Sequence, residues 1–385
     1  MDDLRIGVIG VCQRGTLADL AHRPGRGSRV VAGADLWPSA LAEFDRRLGG
    51  GMRLCEDWRA LLDDRGVDAV FVTAPDFLHE EMCVAALRAG KAVYAEKPLA
   101  ITIEGADRIL RAALETGARL YVGHNMRHMP VVLKMRQLIR AGAIGQVQAA
   151  WCRHFINYGG DAYFRDWHSE RQYTGGLLLQ KGAHDLDVIH WLAGARTGWV
   201  SGMGRLSVYD RCRRRTEPRT ERFSARFDDA HWPPLALEDV SPAVDVEDHC
   251  MVMMQLENGV QASYLQCQYA PDAERNYTFI GDAGRLENVG DWGNCEVRVW
   301  NRRGARGSPD EIHRLKPVAG GHGGADEGVV QAFLDYVKEG KPPSTSPLAA
   351  RDAVAAGVKG HESMRGGGER LRVPPAAADL AAAFG

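Results

Sequence analysis

The sequence predicts an α/β chain: a doubly wound parallel sheet first, then an α+β domain built on a large, mostly antiparallel open sheet. Three observations carry this expectation. Between residues 4 and 122, short apolar strand patterns alternate with helical ones at the spacing of βαβ units. From residue 144 onward strand patterns dominate, joined by turns such as Asn258-Gly259. The 385 residues, 45% of them hydrophobic, suffice for two separate cores. A boundary near 123/124 is expected, giving domains 1–123 and 124–385, with a helix near 348–362 returning to the first. Lys+Arg (48) nearly balance Asp+Glu (50), so no global field favours nucleic acid or an anionic membrane as partner. Eight scattered cysteines show no C-x-x-C spacing, and neither a metal site nor a disulfide framework is expected. No leader pattern precedes the first strand and no apolar run reaches membrane-spanning length, which sets the expectation of a cytoplasmic protein.

Leu4 to Gly10 reads as a buried strand running through VCQRG into a helix from about Thr16. Gly10 and Gly15 take the first and third glycine positions of G-x-G-x-x-G, and Cys12 stands at the second. The first glycine permits the tight turn and the third permits close helix packing, as in a Rossmann nucleotide-binding fold. Arg14 lies inside the same turn. Arg29 to Ala34 is the next strand, ending in Asp35. A carboxylate there accepts hydrogen bonds from an adenine-ribose 2′-hydroxyl and repels a 2′-phosphate, so NAD is expected over NADP. Trp58 to Leu62 is a short helix, Asp68 to Pro75 a buried strand, His79 to Ala89 a helix and Lys91 to Ala95 a strand. Thr73, Pro75 and His79 fall where a loop passes the nicotinamide half of a dinucleotide. Glu96-Lys97-Pro98 then sits at the carboxyl end of a strand, the edge where open α/β sheets keep ligands. The proline disfavours helix at Lys97 and leaves the X-Pro bond open to cis, one way to aim a side chain. A helix over Ile103 to Thr116 and a strand over Arg119 to Val122 complete the alternation. His124, Asn125 and Arg127 follow that strand end, with Glu96 and Asn125 assigned to the cofactor.

The glycine turn, Asp35, TAPDFLH (73–79), AEKPLA (95–100) and GHNMRHMP (123–130) stand in the order that resembles the Gfo/Idh/MocA oxidoreductases. The resemblance covers most of the chain. It implies an NAD-dependent dehydrogenase, a sheet face that makes homodimer or homotetramer contacts, and a small carbohydrate or cyclitol substrate.

Val131 to Ala141 reads as an amphipathic helix, with strands at Ile144–Phe155, Val200–Val208, His249–Leu256, Gln261–Gln268, Tyr277–Ile280 and Glu296–Trp300. Between them GGLLLQKGAHDLDVIHWLAG (175–194) reads as one helix from about Leu178, closed by Gly194. On one helix Gln180, His184 and Asp187 share a face, with Lys181 on a flank. A histidine beside a carboxylate is a suitable proton acceptor near neutral pH. The segment resembles the family pattern G-G-x-x-x-D-x-G-x-H-x-x-D at Gly175, Gly176, Gly182, His184 and Asp187, with Gln180 where aspartate is usual. Glutamine can bond a sugar hydroxyl but cannot act as a base. The resemblance implies His184 as base, Lys97 polarising the substrate oxygen and Asp187 orienting the imidazole, with Lys181 a second cation for substrate. Arg165, Trp167 and His168 lie in an aromatic stretch suited to a sugar or cyclitol ring, and Arg127 is assigned to the substrate as well. The 210–242 stretch, basic and then acidic, reads as a long surface insertion or lid. Residues 320–326 are too glycine-rich for regular structure, with His322 a polar candidate. Two alternatives remain open: a redox glycosidase that oxidises a hydroxyl transiently, and a non-catalytic sugar or nucleotide sensor.

Overall fold

The computed structural model describes residues 2–217, 219, 223–225, 227–304 and 307–385. Two compact units divide the chain: 1–125 with 325–354 and 376–385, and 126–324 with 355–375. The expected break near 123/124 therefore describes only the first crossing. The helix Pro347–Arg365 is shared, its residues through Val354 clustering with the first unit and those from Ala355 with the second.

In the first unit β1 (Leu4–Ile9), β2 (Ser28–Ala34), β3 (Arg53–Cys55), β4 (Ala69–Val72), β5 (Ala92–Ala95) and β6 (Leu120–Val122) form one sheet. Their order is β3-β2-β1-β4-β5-β6, every neighbouring pair parallel. The winding reverses between β1 and β4, which makes the carboxyl edge there the place for a ligand. Local signals set the helices. Asp57 accepts from the Arg59 amide to cap Trp58–Leu62, and Thr102 accepts from the Gly105 amide to cap Ile103–Thr116. Phe71, Tyr94 and Tyr121 stack across β4, β5 and β6 with centroids 4.5 and 5.8 Å apart. Phe333 meets the three rings edge-on at 5.1–5.9 Å. That aromatic closure, with Val329, Val330 and Leu334 in the same core, is the physical reason residues past 325 belong to the first unit.

The second unit holds β7 (Val147–Phe155), β8 (Thr197–Arg205), β9 (His249–Leu256), β10 (Gln261–Cys267), β11 (Glu274–Gly281), β12 (Gly284–Val289), β13 (Cys295–Trp300), β14 (Glu311–Leu315) and β15 (Leu371–Arg372). They pair in the order β14-β13-β12-β11-β7-β10-β9-β8-β15, antiparallel except for β7 with β10. β9 alternates buried and outward residues, placing Met251 and Met253 on the exposed face beside Met203 of β8.

Two expectations need correction. The single helix from Leu178 is two, Leu177–Gln180 and Ala183–Ala193. The amides of Lys181 and Gly182 both donate to the Leu177 carbonyl (2.9 and 3.2 Å), which inserts an i→i−5 bond and shifts the helical phase. Gly182 suits this crowded point, since a Cβ there would lie 2.3 Å from the Leu178 carbonyl oxygen. Gln180 and His184, four residues apart, consequently lie on different helices and not one turn apart on the same one. The 210–242 insertion is also more than a surface loop. Tyr209, Cys212, Leu237 and Val240 are buried in a core with Ile156, Phe164 and Leu177. Positions 218, 220–222 and 226 of the insertion lie outside the described residues. Among the described residues no helix is long and apolar enough to cross a membrane.

Candidate active site

The first unit supplies a nucleotide cradle. Gly10 has φ +83°, and a Cβ on it would lie 2.7 Å from the Ala74 nitrogen; a Cβ on Gly15 would lie 2.3 Å from the Gly10 oxygen. These contacts explain why both turn positions are glycine. Cys12 has extended backbone (φ −92°, ψ 167°), so the second position makes no such demand. The Cys12 thiol donates to Asp35 Oδ2 at 3.3 Å, and the same oxygen accepts the Val11 amide at 3.1 Å. Asp35 thus joins the turn to the end of β2 and also accepts the Trp37 amide at 3.1 Å. It does not cap the following helix, whose N-cap is Trp37.

Around this cradle several predicted residues are tied to protein partners. The Thr73 hydroxyl faces the Ile9 and Gly10 carbonyls at 3.1 and 2.7 Å, bracing the turn from β4. His79, fully buried, has Nδ1 2.8 Å from the Pro98 oxygen and Nε2 2.8 Å from the Ala74 oxygen. Its ring therefore pins two loops through backbone carbonyls. Pro75 caps the short 3-10 turn Asp76–Leu78. Lys97 and Glu96 are buried past the end of β5, and the Lys97-Pro98 bond is cis.

Arg14, Glu96 and Asn125 meet through a residue that sequence reasoning missed, Asp326. Arg14 donates to both Asp326 oxygens (3.0 and 3.1 Å), with its Nε 3.5 Å from Glu96 Oε1. Asn125 donates to Asp326 Oδ1 at 2.8 Å. Burial opposes the Arg14 charge, but Glu96 and Asp326 outweigh it and hold the guanidinium firmly protonated. A sequence separation of 312 residues gave this pair no local signal.

The second unit presents a buried polar segment. Gln180, Lys181, His184 and Asp187 are each at most 8% exposed. Arg127 grips both Asp187 oxygens at 2.8 and 2.6 Å in a bidentate pair, and packs 5.0 Å from the Trp191 ring centroid. This pair gives Asp187 and Arg127 a direct structural role. Lys181 Nζ lies 5.4 Å from the Tyr158 ring centroid and 5.6 Å from that of Tyr163. Burial works against the Lys181 charge, and the two phenols reverse the balance and raise its pKa. Burial also favours a neutral Tyr158, yet Lys181 and Arg275 outweigh it and lower the phenol's pKa. His322 lies 6.4 Å from His184 and 5.4 Å from Trp292, centroid to centroid.

The aromatic stretch is braced rather than open at its polar members. Arg165 pairs with Asp239 (3.0 Å) and Asp161 (3.5 Å). His168 has Nδ1 2.6 Å from Asp166 and its ring 3.7 Å from that of Trp167. Sequence reasoning also missed Asp185, completely buried next to the predicted base. It binds Arg275, His154, Tyr264 and Tyr277 on three strands of the sheet.

A doubly wound sheet with a glycine turn and a carboxylate closing β2 defines a dinucleotide-binding domain, here joined to a domain on a large open sheet. Residues 4–124 match the oxidoreductase family with an NAD-binding Rossmann fold, and residues 132–287 match the GFO/IDH/MocA C-terminal domain. The chain belongs to the Gfo/Idh/MocA oxidoreductases, as the motif order led one to expect. It is 35% identical over 168 residues to inositol 2-dehydrogenase 2 of Saccharopolyspora erythraea, covering 42% of this chain and 47% of that one. It is 27% identical over 293 residues to levoglucosan dehydrogenase of Pseudarthrobacter phenanthrenivorans, covering 72% and 71%. A solved levoglucosan dehydrogenase in complex with NADH and L-sorbose shares the fold at TM-score 0.79 and 21% identity, over 97% and 100% of the two chains. Several other curated relatives are matched over only about half of their length, 46–60%.

The cradle around Gly10, Gly15 and Asp35 fits NAD. Replacing the carboxylate removes a charged acceptor worth roughly 1.5–3 kcal/mol. Asp35→Ala is therefore expected to weaken NAD about 10- to 100-fold and to narrow its margin over NADP, read by titrating both nucleotides. An unchanged preference would move the discriminating contact elsewhere.

Proposed function

We propose that this protein is an NAD-dependent dehydrogenase that oxidises a ring secondary alcohol of a sugar, sugar derivative or cyclitol. The observation that carries the reading is the buried His184–Asp187 segment, with Lys181 beside it, in a chain whose first unit binds NAD. The bound nucleotide accepts the hydride; the chain must take the hydroxyl proton and stabilise the alkoxide that forms. His184 takes the proton. Lys97 polarises the substrate oxygen. Asp187, fixed by Arg127, positions the helix that carries His184, while Gln180 and Lys181 bond neighbouring hydroxyls. Trp167 offers a ring face to the substrate. The relatives named for inositol and levoglucosan oxidation support a polyol or sugar ring as substrate. The outward methionines Met203, Met251 and Met253 support a homodimer or homotetramer through the open sheet face; a monomer in sedimentation equilibrium would remove that part.

The test is nicotinamide absorbance on the purified protein with NAD and a panel of cyclitols, free sugars and aryl glycosides, with released aglycone followed in the same wells. NADH accumulating with a polyol establishes the dehydrogenase. Aglycone release without net NADH transfers the reading to a redox glycosidase. Silence in both channels, or failure to bind NAD, overturns it.

A further inference from the structure

The insertion between β8 and β9 borders an open cavity of about 310 Å³, at the lower end of the range for small-ligand sites. Its lining includes Asn157, Gly160 and Asp161 and, from the insertion, Phe227, Asp228, Asp229, His231 and Trp232. The insertion is seated closely. A Cβ on Gly160 would lie 2.7 Å from Leu237 Cδ2 and 2.8 Å from Tyr209 Cε1, and the Tyr209 hydroxyl donates to the Gln268 carbonyl at 2.9 Å. Asp161, 6% exposed, lies 2.5 Å from His231 Nδ1, which fastens the insertion to the helix Gly159–Tyr163.

The chemistry of this lining is specific. Phe227 and Trp232 are 60% and 44% exposed, two flat apolar faces that the fold leaves uncovered. Among the described residues, three carboxylates line the space and neither lysine nor arginine does. Aromatic faces suit the apolar face of a sugar ring, and carboxylates accept from its hydroxyls. The same lining repels phosphate and carboxylate groups. The cavity also borders the proposed substrate segment. The short helix Gly159–Tyr163 forms its wall, and the tyrosines at the two ends of that helix, Tyr158 and Tyr163, are the ones that flank Lys181.

We infer that this cavity is a second sugar subsite, holding a neutral hydroxylated ring linked to the ring that is oxidised. The substrate is then a disaccharide or comparable glycoside rather than an isolated monosaccharide. This rests on the dehydrogenase reading above and extends it.

Calorimetric titration of the NAD-loaded protein with neutral disaccharides, the matching methyl glycosides and a sugar phosphate tests the inference. Disaccharides are expected to bind more tightly than methyl glycosides. Trp232→Ala and Phe227→Ala are each expected to cut that advantage roughly 3- to 10-fold, the size of an aromatic stacking contribution. Both side chains are exposed, and unchanged melting temperatures would show that the variants fold. No disaccharide advantage, an advantage that survives in both variants, or preference for the sugar phosphate would overturn the subsite. NADH read in the same samples separates the two failures. Disaccharide that binds in a Trp232-dependent way but is never oxidised keeps the subsite and removes the dehydrogenase. Oxidation of methyl glycosides with no disaccharide advantage does the reverse.

Discussion

His184→Ala is expected to lower turnover roughly 10²- to 10⁴-fold, the usual contribution of a positioned general base. NAD affinity should be largely retained, because the role proposed for His184 is to take a proton and not to hold the nucleotide. Lys97→Ala is expected to cost about 10²- to 10³-fold in kcat, the effect of removing the cation that the proposed mechanism sets against the developing negative charge. If the proposed mechanism holds, the two losses should not add fully, because groups that serve one step act as a unit. Burial sharpens the case: His184 is 4% and Lys97 9% exposed, and in such surroundings charge interactions are stronger than in water. Steady-state rates with saturating NAD, beside direct NAD titration, measure both effects. Near-normal turnover in either variant would show that its assigned role is wrong.

Most of the first unit was legible because its central strands are buried on both faces and its helices carry local start and stop signals. Trp58–Leu62 and Ile103–Thr116 fall where the sequence placed them, each behind a side-chain cap. The strand His249–Leu256 did too, since its alternation is strict. What escaped depends on distant partners. Arg14 reads as a cofactor residue in its turn, and only the fold shows Asp326 across from it. β3, β12 and β14 escaped because short or half-exposed strands are defined by their neighbours rather than by their own pattern. The 3.6-residue period joined Gln180 to His184, whereas the doubled bond to the Leu177 carbonyl breaks that phase. The His184–Asp187 spacing was legible on the helix, whereas the bidentate hold of Arg127 on Asp187 was not, because those two residues lie 60 positions apart. Asp185 drew no notice because a helix period identifies a face, not the strands against which that face packs.

Asp185→Leu should be among the most destabilising single changes in the chain. The carboxylate is completely buried and holds Arg275 Nε at 3.0 Å, Tyr264 at 2.9 Å and His154 Nδ1 at 3.1 Å, with the Tyr277 hydroxyl also bound. Burial alone would raise its pKa, but Arg275, His154 and Tyr277 more than offset this and hold it well below the usual carboxylate range. Removing one member of a buried ion pair leaves the other charge uncompensated, at roughly 3–5 kcal/mol. At about 2–4 °C per kcal/mol for a unit of this size, the melting transition should fall by roughly 6–20 °C. A group whose folded pKa is depressed contributes fully above its unfolded value, near 4, and loses that contribution as pH falls through the folded value. The gap between wild type and variant should therefore be full at pH 7 and shrink toward pH 3. Arg275→Met added to Asp185→Leu should recover part of the loss, because an apolar replacement of both partners leaves no stranded charge. Asp291, 3.3 Å from Arg275, sets the limit of that recovery, since it loses its cation in the double variant. A single variant within about 1 kcal/mol of the wild type would mean that Asp291 and water compensate Arg275 unaided. The network would then serve to orient the helix that begins at Ala183, and its loss would appear in kcat while leaving the melting temperature in place.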